Sequence, residues 1–189
     1  MRKAPPFTVT GVDFTGALKV RNKNGKDSKA YICLFTCAST RAVHLEIVTD
    51  LTEEQFILAF RRFSSRKSLP KIMLSDNATT YVASAKEIDR LTSSPTLQAT
   101  LNSQGTEWKF IPKRAPWYGG FWERLIGLTK NCIKKVLGRS YVSLDVLNTT
   151  VIEVEAILND RPLTYISTDP IDEDPLTPSH LLYGRKIVP

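Results

Sequence analysis

Histidine and cysteine are scarce in this sequence: His44 and His180 are the only histidines, and Cys33, Cys37 and Cys132 the only cysteines, among 189 residues. A structural zinc site needs four such ligands at short, characteristic spacings. The histidines lie far apart, and Cys33 and Cys37 fall in a β-like run, so no zinc set can be assembled. An odd number of cysteines in apolar surroundings argues for buried thiols in a reducing, intracellular compartment and against a disulfide framework. Long apolar runs are missing as well. The longest, Ala30–Ala38, has the length of a buried strand and not of a membrane span. The opening Met1–Arg2–Lys3–Ala4–Pro5–Pro6 carries the charge of a signal peptide without its apolar centre, so secretion is not expected. Internal repeats and low-complexity segments are absent too.

What is present is ordinary globular composition, 42% hydrophobic and 24% charged, in a length that fills one domain. The net charge is +7, and it is clustered. Arg2–Lys29 holds seven bases against Asp13 and Asp27. Arg61–Lys71 holds five bases and no acid, and Glu107–Arg139 holds eight bases against Glu107 and Glu123. Asp160–Pro189 reverses the sign, with five acids against three bases. Clustered positive charge of this kind suits a polyanion such as nucleic acid, although a run like Arg61–Lys71 alone reads as a solvated helix face.

The patterning predicts three strands first: Phe7–Val20, Ala30–Ala38 buried on both faces, and a half-exposed edge strand from Val43 to Thr49. Asn24–Gly25 supplies the tight turn between the first two. Period-3.6 spacing of Phe56, Phe60 and Phe63, behind Thr52 and Gln55 at capping-box spacing, predicts a helix that closes before Pro70. A short strand Lys71–Ser75, a helix over Thr79–Leu91, a polar connector Thr92–Gly105 and a short strand Trp108–Ile111 follow. Pro112–Gly120 reads as a loop, Phe121–Leu137 and Ser143–Leu158 as helices, and the Pro-rich end as irregular apart from one helical turn at Pro178–Tyr183. This order defines an α/β fold: a five-stranded mixed sheet, three strands antiparallel and two parallel, flanked by helices. Residues 1–163 are expected to form one core, with 164–189 a C-terminal extension.

Three carboxylates stand out. Asp13 interrupts an apolar strand, where an unpaired acid is costly. Asp76 follows the strand Lys71–Ser75 at its carboxyl end, the side on which open α/β sheets place their ligands. Glu123 heads a helical stripe: at 100° per residue Lys130 and Lys134 fall within about 20° of it, with Gly127 between, while Leu125, Ile133 and Val136 lie on the far side. Hard oxygen ligands without sulfur or imidazole select Mg²⁺ or Mn²⁺, and two such ions can serve both oxygens of a phosphodiester exchange. Taken singly, each acid has a structural reading: Asp76–Asn77 as a helix cap, Glu123 as a complement to the helix dipole.

Thr10–Gly11–Val12–Asp13–Phe14, Leu74–Ser75–Asp76–Asn77–Ala78–Thr79–Thr80–Tyr81 and Gly119–Gly120–Phe121–Trp122–Glu123–Arg124 together resemble the three blocks of the Asp-Asp-Glu integrase catalytic core. Ala115–Glu123, Leu158–Asn159–Asp160–Arg161–Pro162–Leu163–Thr164 and Pro175–Leu182 are similar to integrases of BEL/Pao-type long-terminal-repeat retrotransposons. The resemblance implies a ribonuclease H-like fold and a polynucleotidyl transferase that processes the 3′ ends of element DNA and joins them to target DNA. It implies Asp13, Asp76 and Glu123 as catalytic metal ligands, with two Mg²⁺ or Mn²⁺ ions. Lys130 matches a position that contacts element-end DNA, and Lys113–Gly120, with Arg114, Tyr118 and Gly119, matches a mobile active-site loop. With Lys134, these are the expected DNA-binding residues. The resemblance also implies a homodimer or larger assembly, with Ser143–Leu158 and Arg161–Leu163 as candidate faces.

Two departures accompany it. The family's zinc-binding amino-terminal module and its carboxy-terminal DNA-binding domain have no counterpart here, so the chain is expected to be an isolated core or a polyprotein fragment. The 46 residues between Asp76 and Glu123 exceed the retroviral spacing, the excess falling in Thr92–Gly105. The competing reading is a domesticated DNA-binding or assembly module without catalysis, against which the intact triad counts.

Overall fold

The computed structural model describes residues 4–21, 25, 27–75, 85–110, 120–138, 141–164 and 175–187, without the side chains of 85 and 120–123. The first expected strand is broken in two, β1 (Val9–Phe14) and β2 (Leu18–Arg21). Both run antiparallel along one edge of β3 (Asp27–Cys37), β1 against 33–37 and β2 against 27–30. The break has a local cause at Thr15. Its backbone N–H donates to the Ile32 carbonyl at 2.9 Å, but Ile32 N–H donates back to the Thr15 hydroxyl, also at 2.9 Å, and not to a backbone carbonyl. A side chain replaces one rung of the ladder, and the strand swerves there as at a β-bulge.

β4 (Val43–Val48) lies on the opposite edge of β3, in register from Tyr31 with Val48 to Thr36 with Val43. After it comes α1 (Glu53–Arg66), whose first turn is capped by Thr52 accepting from Gln55 N–H. β5 (Ile72–Ser75) then joins β1 in parallel, α2 (Ala85–Thr92) and α3 (Pro95–Ser103) follow, and β6 (Glu107–Phe110) extends the sheet in parallel beyond β5. Residues 79–84 of the expected second helix lie outside the described residues, and the polar connector contains a full helix behind the cap Ser94. α4 (Gly120–Leu137), a two-residue β7 (Val142–Ser143) beside β2, α5 (Leu144–Asn159) and α6 (Pro178–Tyr183) complete the order. Among the described residues the sheet counts seven strands, the five expected with the first of them split in two and the two-residue β7 added. Its mixed α/β, ribonuclease H-like plan is as the sequence implies.

β3 separates two cores because its side chains alternate. Cys33, Phe35 and Cys37 face α1 and join Phe56, Phe60, Phe63 and Trp108. Ile32 and Leu34 face α4 and α5 and join Leu125, Ile133, Leu147 and Val154. Phe35 and Phe63 stack at 4.2 Å with an angle of 2° between rings. Cys33 and Cys37 are buried free thiols. Phe7 is also in this core, 1% exposed, although its φ of 63° lies in the left-handed region; its N–H donates to Cys37 Sγ at 3.0 Å. That conformation costs a bulky residue about 1–2 kcal/mol, which burial of the ring offsets.

β4 is an edge strand, but it is not half-exposed. His44 is 2% and Glu46 5% exposed. The alternation read as solvent-facing is instead covered by charge: His44 Nε2 meets Glu46 at 3.0 Å, its Nδ1 meets Glu155 of α5 at 3.0 Å, and Arg62 Nε donates to Glu46 at 2.5 Å. The strand's outer backbone is satisfied by α5, with Leu45 N–H donating to Glu155 at 2.9 Å and Asn159 bridging Val43. This shields an edge that would otherwise template another strand. Past α5, the Leu163 N–H donates to the Leu176 carbonyl at 2.7 Å, and the Tyr183 hydroxyl accepts from Lys67 Nζ at 2.5 Å. His180 is part of a capping box with Thr177.

Candidate nucleic-acid and metal site

Asp13 sits one residue from the end of β1, paired across β3 with Leu34 and half-buried. Its Oδ1 accepts from the N–H of Phe14 at 2.6 Å, which fixes the carboxylate beside its own backbone. Immediately after Phe14 come Thr15 and Gly16, where the strand swerves. On the other side of β1 lies β5, in a parallel register that pairs Gly11 with Leu74. The end of β5 is pinned by a contact the sequence does not announce: Trp108 of β6 donates its indole N–H to the Ser75 hydroxyl at 3.0 Å, both groups buried. Asp76 is the next residue in sequence, and it lies outside the described residues. So do Lys113, Arg114, Tyr118 and Gly119.

Glu123 belongs to the first turn of α4, and its side chain is outside the described set. The stripe that it heads is visible from Gly127 on. Leu125 (4%) and Ile133 (3%) are buried against β3 and α5, as the helical spacing requires. Val136, assigned to the same inner side, is 58% exposed; in the last turn it is Leu137 that packs on the core. Lys130 is half-buried and Lys134 exposed. Among the described residues a Cβ built on Gly127 would meet nothing within 4 Å, so the stripe is open at that position. Among the described residues no ion pair involves Lys130 or Lys134.

Among the described residues no group of three or more His, Cys, Asp or Glu is placed to hold a metal. Asp13, half-buried and accepting from the Phe14 N–H, supplies an oxygen donor of the hard type that Mg²⁺ and Mn²⁺ prefer, and this is compatible with a divalent ion. No helix among the described residues is long and apolar enough to cross a membrane.

A mixed sheet in this order with helices on both faces is the ribonuclease H-like architecture. The chain matches no family model and no curated protein. Among solved structures it shares its fold with retroviral integrase catalytic cores. One is the HTLV-2 integrase catalytic core domain in complex with magnesium, with 18% identity and a TM-score of 0.60 over 96% of this chain and 100% of that one. Another is the BIV integrase catalytic core domain, with 13% identity and a TM-score of 0.65 over 94% and 95%. A third is a simian T-cell lymphotropic virus intasome in complex with the PP2A regulatory subunit B56 gamma, at 15% identity and a TM-score of 0.65. All of this chain aligns there, spanning 59% of the intasome chain.

Proposed function

We propose that this chain is the catalytic core of an integrase from a BEL/Pao-type long-terminal-repeat retrotransposon, a metal-dependent polynucleotidyl transferase acting on DNA. The observation that carries the reading is the position of Asp13 near the end of β1, next to β5, on a fold shared with integrase cores. Asp13 and Asp76 each stand two residues beyond the Gly11–Leu74 pair, and Glu123 shares a helix with Lys130 and Lys134.

Asp13, Asp76 and Glu123 would hold divalent ions, Mg²⁺ or Mn²⁺. When bound, a pair of such ions activates the attacking oxygen and stabilises the leaving oxygen of a phosphodiester. The chain's own contribution is to bind and orient. Lys130 and Lys134 take the phosphates of the element end, and Lys113, Arg114, Tyr118 and Gly119 extend that contact. The magnesium in the HTLV-2 core supports the choice of ion. Residues 1–163 form the core and 164–189 the extension; the assembly is a homodimer or larger, and the chain works inside the cell, in the cytoplasm and the nucleus.

The experiment is metal-dependent nicking, or disintegration of a branched DNA, by the purified chain. Asp13→Asn, Asp76→Asn and Glu123→Gln are each expected to lose activity while keeping the wild-type circular dichroism. Undiminished activity in any of them overturns its catalytic role.

A further inference from the structure

A cleft of about 460 Å³ opens between the β4–α1 turn and α2. It lies on the α1 face of the sheet, where Tyr31 of β3 packs with Ala59. Asp13 is on the other face, since it pairs with Leu34, which joins the α4 and α5 core. The lining reverses the sign of the chain: Asp50, Glu53 and Glu87 against Arg90, in a protein of net charge +7. Such a lining repels a polyanion. Among the described residues none of these four groups is in an ion pair. Two of the acids are half-engaged locally. Asp50 Oδ1 accepts from the Thr52 N–H and hydroxyl at 3.0 and 2.5 Å, and Glu53 Oε1 accepts from the Ser94 hydroxyl at 2.6 Å.

Acids on a surface do not by themselves define a ligand, but Tyr31 points to one. It is only 6% exposed and lines the cleft, yet among the described residues its hydroxyl makes no hydrogen bond. A buried tyrosine ordinarily finds a partner for that group. A bare metal ion is not the fit, because among the described residues no three carboxylates are grouped to hold one. An apolar stem ending in an ammonium is. Leu51 and Leu91 flank the stem, and the ammonium's three donors meet single carboxylate oxygens and the phenol. A guanidinium prefers a carboxylate with both oxygens open, which Asp50 and Glu53 do not offer. Arg90, exposed at the edge, repels a free polyamine but can donate to the carbonyls of a peptide.

We propose that this cleft seats a lysine side chain of a partner protein, a docking contact on the opposite face of the sheet from the proposed reaction site. The test titrates blocked Gly-Gly-Lys-Gly-Gly, its acetyl-lysine form and its arginine form into the chain, followed by NMR of labelled tyrosine rings. The lysine peptide is expected to shift the Tyr31 ring and to bind at least about tenfold more tightly than the acetyl-lysine form, the scale of one charge-assisted hydrogen bond. Tyr31→Phe, which keeps the ring, is expected to weaken it about fivefold. Glu87→Lys, at an exposed position, is expected to abolish binding with unchanged circular dichroism. Equal binding of the lysine and acetyl-lysine forms, tighter binding of the arginine form, or a Tyr31 ring moved by spermidine and not by the peptide overturns the inference. So does a changed oligomeric mass in Glu87→Lys, which makes a second copy of the chain the occupant. The titration uses neither metal nor DNA, so its outcome is independent of the integrase reading.

Discussion

Asn159 clasps the peptide edge of Val43 from both sides: its Oδ1 accepts from Val43 N–H at 2.8 Å and its amide donates to the Val43 carbonyl at 2.9 Å. One side chain thus imitates a neighbouring strand for one residue of β4. Asn159 is 1% exposed, so both bonds are made away from water. Its neighbours in the same block serve the architecture as well. Asp160 accepts from Ile187 N–H at 2.9 Å, and Arg161 donates to the carbonyls of Leu158 and Arg41.

Asn159→Ala therefore strands a buried donor and a buried acceptor. At about 1–3 kcal/mol for each unsatisfied group, the expected loss is about 3 kcal/mol. Urea unfolding should show a lower midpoint with an unchanged slope, and Asn159→Asp, which retains only the acceptor, should fall between.

Thr15→Val removes the hydroxyl that accepts from Ile32 N–H and keeps the shape. The expected cost is about 1–3 kcal/mol, because the Ile32 N–H is left buried and unpaired. Thr15→Ser restores the acceptor and should recover most of the loss in thermal midpoint.

The charge cluster on β4 sets a pH window. Burial pushes the His44 pKa down, but its contacts with Glu155 and Glu46 outweigh this and raise it above the ordinary 6.5. Burial likewise pushes Glu46 and Glu155 up, and their partners, His44 first, bring both below the ordinary 4.5. A raised histidine contributes stability below its unfolded value and loses it as pH rises through the folded one. The depressed carboxylates contribute above 4.5 and lose stability as pH falls through their folded values. The thermal midpoint should be highest between these limits, and His44→Gln should remove the alkaline decline and shrink the acidic one, which Arg62 and Lys67 still support in part.

Lys130 and Lys134 should act on DNA through phosphates. Replacing both with Gln is expected to weaken binding across sequences and to flatten the plot of log affinity against log salt by about 1.8, at about 0.9 for each phosphate no longer neutralised. Titrations by fluorescence anisotropy over a range of salt concentrations check it.

Much of the fold is legible because burial follows period. The three-phenylalanine face of α1 and the nearly continuous apolar run of β3 each lead to the right element. The failures share a cause: a side chain answering to something distant in sequence. His44 and Glu46 look solvent-facing until Glu155, more than a hundred residues on, and Arg62 are known to meet them. The break at Thr15 depends on a single hydroxyl, and the Trp108–Ser75 bond on a parallel register that no local pattern encodes. At the candidate site, Asp13 is legible as an acid in an apolar strand and Lys130 and Lys134 as one stripe of a helix.

The buried ring of Phe7 has a practical consequence for anyone who trims this protein. Its left-handed backbone is tolerated only because the aromatic group is locked against Phe63, 5.3 Å between centroids, with a sulfur as partner to its amide. A boundary drawn a few residues too late would discard a keystone of the hydrophobic interior along with the terminus, and the shortened product would be expected to precipitate for want of that one side chain.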